Sequence, residues 1–247
     1  MKLKIATLGL LPILAMQAKY VKKNTPRLSE PSGDRQGQCG QGNALSILII
    51  GDSAAAGVGV EQQSQALLGQ LLQCLQNDYQ VSYQLEAKSG RTTAQLIQAI
   101  QKLPIQHFDV VVTSIGVNDV TRLISPQAWL AQQQRLYCII QHKFNPKLIV
   151  VASVPPMQLF PALPQPMAWL LGQYAKEMNQ SLQRYMASQP NMLGLAYDLA
   201  EYQAMNLQMA SDGFHPSAEI YAFWADKMAK KIKRRLMKHP SQQLFED

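Results

Sequence analysis

Cysteine is scarce in this chain of 247 residues: Cys39, Cys74 and Cys138 are scattered, and no CxxC pair occurs. A disulfide framework, a cysteine-built metal site and a thioredoxin-like redox motif are therefore not expected, and at most one bridge can form. Long apolar runs are missing too, which excludes a polytopic membrane protein. Charged residues make up only 16% of the chain against 47% hydrophobic, with 14 Gly and 14 Pro. That balance excludes collagen-like, coiled-coil and wholly disordered chains and fits one large domain or one domain with appendages. Gly57-Val58-Gly59 has no Gly-Lys-Ser/Thr after it, so a phosphate-cradling nucleotide loop has little support.

The net charge of +7 sits at the ends of the chain. Residues 1–43 carry seven Lys/Arg against Glu30 and Asp34, and residues 226–247 carry seven against Asp226, Glu246 and Asp247. The body between has nine Lys/Arg against eleven Asp/Glu, and no stretch interleaves bases with aromatics. No nucleic-acid partner is expected.

Residues 1–18 read as a signal-like or membrane-tethering segment, because Lys2 and Lys4 precede the apolar run Ile5–Met16. Cleavage after Ala18 would leave Met16 where a small residue belongs. An uncleaved helix from Ile5 to Ala18 is about 21 Å long against roughly 30 Å of hydrocarbon core, so a tether at the membrane interface is as good a reading. The basic end of a helix over 219–238 adds a possible contact with anionic lipid, and a membrane or cell-envelope location is expected, its side unresolved. Residues 19–44, rich in Pro, Gly, Ser and Gln, read as a linker, 45–238 as the folded domain and 239–247 as a tail.

The body alternates strand and helix. Short apolar runs at 46–50, 109–115 and 148–154 suit strands buried on both faces, and Tyr79–Glu86 alternates as a half-buried, edge-like strand. Helical spacing fills 67–75, 93–103, 126–144, 166–187 and 219–238, with a last strand at 192–197. Single helices between strands imply right-handed βαβ crossovers and a parallel sheet, whose ligand site lies beyond the strands' carboxyl ends.

Four loops fall at that edge: Gly51-Asp52-Ser53, Ser89-Gly90-Arg91, Gly116-Val117-Asn118-Asp119 and Asp212-Gly213-Phe214-His215. Each alone is ordinary turn chemistry, but together they supply what acyl transfer needs. A serine hydroxyl attacks only when a base takes its proton, and that base works best when a carboxylate orients it. Ser53, His215 and Asp212 can fill those roles, because His107, His142 and His239 lie away from this edge. The backbone N–H groups of Ser53 and Gly90 and the Asn118 amide are candidate oxyanion donors. Asp52 and Asp119 read as turn-stabilising residues, and Arg91 as solvated. The apolar, Pro-rich stretch Pro155–Trp169 can either wall an acyl pocket or simply pack the core.

These blocks, in this order, resemble those of the SGNH, or GDSL-type, serine hydrolases, over roughly residues 45–238. Ala54 stands where the name-giving motif has Leu. The resemblance implies a flavodoxin-like three-layer α/β/α sandwich around a mainly parallel five-stranded sheet. It also implies esterase, lipase or acylhydrolase activity without metal or organic cofactor. It makes Ser53 the nucleophile, Asp212 the orienting carboxylate, His215 the base, and Ser53, Gly90 and Asn118 the oxyanion hole. A lipid or acyl (thio)ester is the first expected substrate and an acetylated envelope glycan the second. A catalytically silent binding protein on the same fold is the alternative from another class. The sequence says nothing of oligomeric state.

Overall fold

The computed structural model describes residues 2–197, 201, 204 and 208–237. Its centre is a six-stranded sheet of β1 (Gln36–Cys39), β2 (Asn43–Gly51), β3 (Tyr79–Ala87), β4 (Val110–Ser114), β5 (Leu148–Ala152) and β6 (Met192–Leu195). The spatial order is β1-β3-β2-β4-β5-β6, and only the β1–β3 pairing is antiparallel. Side chains alternate across the sheet with the strand period of two. Ile47, Ile49, Val110 and Val112 point into one core, while Leu48, Ile50, Val111 and Val151 point into the other.

Both faces are covered, which is why the inner strands are apolar throughout. Helices α3 (Leu67–Leu75) and α8 (Ala218–Met237) close the first face, burying Leu67, Leu71, Trp224 and Met228. Helices α4 (Thr93–Lys102), α6 (Pro126–Phe144) and α7 (Met167–Met186) close the second, burying Ile100, Trp129, Ile140 and Met178. Two of these helices start where side chains cap them. Thr92 and Gln95 make a reciprocal capping box on α4, and Ser125 caps α6 with Pro126 in its first turn. Two short helices, α2 (Ser53–Ala56) and α5 (Val117–Thr121), follow directly on β2 and β4.

The three-layer architecture is the expected one, with one strand more. That strand, β1, comes from the stretch read as a linker, and it covers β3, which is therefore not at the sheet's edge. Gln36, Gly37, Gln38 and Cys39 carry no apolar alternation, so their strand is held by backbone pairing to β3 rather than by side-chain burial. Residues 19–24 are likewise helical, completing α1 (Lys2–Asn24). The expected tail 239–247, with His239 and the end of the domain at Lys238, lies outside the described residues.

The expectation of a membrane location through the N-terminal segment is corrected here. Among the described residues no helix is long and apolar enough to cross a membrane. Lys4 breaks the apolar stretch of α1 on one side and Lys19, Lys22 and Lys23 on the other. The helix lies instead along the domain: Leu14 is 7% exposed, Leu3, Leu10 and Val21 pack on the α7 side of the core, and Thr7 Oγ1 is 3.0 Å from the Tyr174 hydroxyl. The Gln17 amide donates to the Gln165 carbonyl and accepts from the Met167 N–H. On α8, Lys230 pairs with Asp226 at 2.7 Å and Lys233 with Asp78 at 2.5 Å. Cys39, Cys74 and Cys138 are free thiols.

If α1 belongs to the cooperative unit, Leu14→Ala leaves a void in a packed contact and costs about 2 kcal/mol. A urea titration checks this, and a midpoint equal to the parent's would mean that α1 rests on the domain without stabilising it.

Candidate active site

Strand β2 lies between β3 and β4, so the chain leaves its carboxyl end on one side toward β3 and the next crossover passes to the other side. This is the switch point at which open α/β sheets hold their ligands. Gly51 ends the strand there because a side chain would not fit: a Cβ would lie 2.0 Å from the Ser114 carbonyl oxygen of β4. Asp52 follows as the cap of α2, its Oδ1 accepting the Ala54 N–H at 3.1 Å. Ser53 opens the helix, where backbone N–H groups have no partner within the helix.

The loop carrying His215 is held from three directions. Asp212 Oδ1 accepts the N–H groups of Phe214 and His215, both at 2.9 Å, and Oδ2 is 2.5 Å from His215 Nδ1. The Gly213 carbonyl accepts the Ala162 N–H at 3.1 Å, and Phe214 meets Phe160 edge-on at 5.1 Å. Gly59 lets the chain after α2 pass under this loop, since a Cβ there would lie 2.1 Å from the Pro216 carbonyl oxygen. The imidazole consequently faces the switch point, with Nε2 3.0 Å from Ser53 Oγ. Burial works to raise the Asp212 carboxyl, but its bonds to the His215 ring and to two backbone N–H groups outweigh that and lower it. Ser53, His215 and Asp212, 162 residues apart at the extremes, are thus brought into one hydrogen-bonded chain.

The other expected site residues come from the flanking strands. Gly90 lies just past β3, and Asn118 lies in α5 just past β4. Asn118 Nδ2 donates to the Arg91 carbonyl at 3.0 Å, which fixes the amide plane and leaves its second hydrogen available. Asp52 holds its turn, as expected, whereas the Asp119 carboxylate departs from the turn-stabilising reading and binds a different helix. Asp119 accepts the Thr93 N–H at 3.0 Å and the Thr93 hydroxyl at 2.9 Å, and Gln133 donates to that hydroxyl, fastening α5 to α4 and α6. Arg91 departs from the solvated reading. Its side chain is 12% exposed and forks onto Glu86 through both terminal nitrogens at 3.1 Å.

A cavity of about 310 Å³ opens beside Ser53 and His215. Pro155, Pro156, Leu159 and Phe160 from the Pro-rich stretch form one wall, whereas Met157, Leu163 and Met167 pack into the core. Sequence reasoning missed the rest of the lining, to which α8 contributes Ile220 and Trp224 and the His215 loop contributes Met209 and Phe214. Nothing in the helical spacing of α8 separates the residues that line the cavity from those that only fill the core. Among the described residues no group of three or more His, Cys, Asp or Glu side chains could hold a metal ion.

Comparison with known proteins identifies the family and the fold. The GDSL-like lipase/acylhydrolase family model matches residues 49–223. A GDSL-like esterase of Mycobacterium tuberculosis, Rv1075c, is 28% identical over 196 residues, covering 74% of this chain. The match spans 60% of that relative's length. In structure, the chain is similar to a lipolytic protein of the G-D-S-L family from Veillonella parvula, with a TM-score of 0.62 at 15% identity over 77% of this chain and 99% of that one. It is also similar to a lipase/acylhydrolase from Enterococcus faecalis, with a TM-score of 0.58 at 20% identity over 77% and 96%, respectively. The acetylxylan esterase Axe2 of Geobacillus stearothermophilus matches with a TM-score of 0.54 at 19% identity over 79% and 95%. These structural likenesses establish the fold.

Asp52 is 2% exposed, and its Oδ2 has no hydrogen-bond partner among the described residues. Burial, with the Asp119 carboxylate adding to it, outweighs the Ala54 N–H and the nearby His215 and pushes the Asp52 carboxyl up to about 7. Because the folded value lies above the unfolded one, the destabilisation it causes is absent below about pH 4, grows as pH rises, and is complete above about pH 7. Asp52→Asn keeps the acceptor for Ala54 but does not ionise. Its stability relative to the parent is expected to climb across that window by up to about 4 kcal/mol, read from paired urea titrations at pH 4 and pH 8. A difference that does not change with pH would contradict the assignment.

Proposed function

Because the chain belongs to the GDSL-like lipase/acylhydrolase family, we propose that it hydrolyses carboxylic esters through an acyl-enzyme on Ser53. The observation that carries the reading is the alignment of His215 Nε2 on Ser53 Oγ at 3.0 Å with Asp212 bound to the other ring nitrogen. With its lowered carboxyl ionised, Asp212 holds the tautomer that carries hydrogen on Nδ1, so Nε2 presents its lone pair to the serine hydroxyl. His215 takes the proton as Oγ attacks the ester carbonyl. The carbonyl oxygen gains the electron pair, and the N–H groups of Ser53 and Gly90 and the Asn118 amide hydrogen-bond to the oxyanion. Collapse of the adduct expels the alcohol, which receives the proton from His215. Water, deprotonated by the same imidazole, then attacks the acyl-enzyme and releases the acid.

The cavity supports an acyl chain as the substrate's buried part. Its walls combine Leu, Phe, Pro, Met and Trp side chains with a few polar ones such as Ser114, Ser153 and Gln208, and its 310 Å³ holds about ten groups the size of a water molecule or methylene. An acetyl group would fill a small fraction of it. Medium-chain acyl esters are therefore favoured over an acetylated glycan, and thioesters fit the same chemistry.

Hydrolysis of p-nitrophenyl esters from acetyl to palmitoyl, by the full chain and by Ser53→Ala, tests this. The parent is expected to turn over medium-chain esters faster than the acetate, and the variant to lose at least about a thousandfold. Preference for the acetate would favour the glycan reading. Equal turnover by parent and variant would remove Ser53 from the mechanism, and an inert parent would favour a binding protein.

A further inference from the structure

The loop 88–91 serves the proposed oxyanion hole twice: Gly90 supplies an N–H, and the Arg91 carbonyl orients the Asn118 amide at 3.0 Å. Yet little packs on it. Lys88, Ser89 and Gly90 are exposed, and a Cβ built on Gly90 would meet nothing within 4 Å. Its own backbone ties are long, 3.4 Å from the Lys88 N–H to the Gly51 carbonyl and 3.3 Å from the Arg91 N–H to the Lys88 carbonyl.

The short ties come from a distant part of the chain. Glu30 Oε1 accepts both the Ser89 N–H at 2.7 Å and the Ser89 hydroxyl at 2.8 Å. Its other oxygen accepts from Arg35 at 3.0 Å, and Arg35 in turn donates to the Ala87 carbonyl at 2.6 Å. Bonds to an ionised acceptor are shorter and stronger than neutral ones, so this pair dominates the loop's restraint on that side. On the other side, the Glu86–Arg91 fork fixes the loop's last residue. Glu30 and Arg35 precede the matched family region, which begins at residue 49. This clamp depends on β1 pairing with β3, because Arg35 leads directly into that strand and its carbonyl accepts the Leu85 N–H at 2.7 Å.

We propose that Glu30, braced by Arg35, is a positioning residue for the oxyanion donors of the loop 88–91. The inference rests on the ester-hydrolase reading above. Glu30 touches neither substrate nor reacting atoms and acts through Ser89. Since the donors matter most when charge develops on the carbonyl oxygen, loosening them removes stabilisation made in the transition state and leaves ground-state binding almost intact.

The test compares Glu30→Ala and Glu30→Gln with the parent in the full chain, using a p-nitrophenyl ester and an alkylboronic acid as transition-state mimic. Glu30→Ala is expected to lower kcat about 10- to 100-fold with KM within about threefold, and to weaken boronate binding by a similar factor. Glu30→Gln keeps an acceptor for Ser89 and is expected to recover part of the loss. Amide exchange at residues 87–91 is expected to quicken in Glu30→Ala whether or not the protein turns over esters. Unchanged exchange would overturn the clamp. Faster exchange with unchanged kcat, or a rise in KM alone, would overturn its role in positioning. An inert parent with faster exchange in the variant would instead reject the ester-hydrolase reading and leave the clamp standing. Should Glu30→Ala fail to fold, the kcat and exchange of Glu30→Gln decide, and parent values in both would overturn the proposal.

Discussion

Asp212 uses both carboxylate oxygens on a single neighbouring stretch of chain: one accepts two backbone N–H groups of its own turn, the other meets the His215 ring. The turn and the imidazole are therefore set by one buried group. The spacing of three residues is what allows it, because an Asp can close a local turn and still offer its second oxygen to a side chain on the same side. Everything else in the site is arranged so that this imidazole finds Ser53. Gly59 clears the floor beneath Pro216, and the segment after β5 grips the loop through Ala162 and Phe160.

The sheet supplies the complementary half. Placing β2 between β3 and β4 puts Ser53, two residues past its end, in a crevice whose two sides carry Gly90 and Asn118. The two sides are restrained differently. On the β4 side, the buried Thr93–Asp119–Gln133 network locks α5 to the helical layer. On the β3 side the loop is exposed, and charge-assisted bonds from Glu30, Arg35 and Arg91 take the place of packing. The cavity lies beyond the imidazole and Ser114, between the β5 segment and α8.

Much of this was legible in the sequence, for physical reasons that differ by element. The apolar runs of β2, β4 and β5 announce themselves because both faces are buried; three motif loops stand out because each follows a strand directly, and the fourth, Asp212–His215, stands out by its Asp-x-x-His spacing. Strand β1 was illegible: Gln-Gly-Gln-Cys has no side-chain pattern, and its pairing is a backbone matter. The docking of α1 was read as membrane tethering because an apolar stretch has the same composition whether lipid or protein covers it. Glu30 gave no signal at all, since its partner Ser89 lies 59 residues away and both are common surface residues. Arg91 shows the opposite case, in which a residue next to the site looked solvated until Glu86 was seen to hold it.

The account turns on Ser53 being a serine activated by His215. Intact-mass and peptide mapping after treatment with a p-nitrophenyl alkylphosphonate tests it most directly, because the reagent modifies an activated nucleophile without needing the natural substrate. One adduct per chain, located on Ser53 and lost in His215→Ala, is the predicted result. An unmodified chain, or an adduct on another residue, would contradict it.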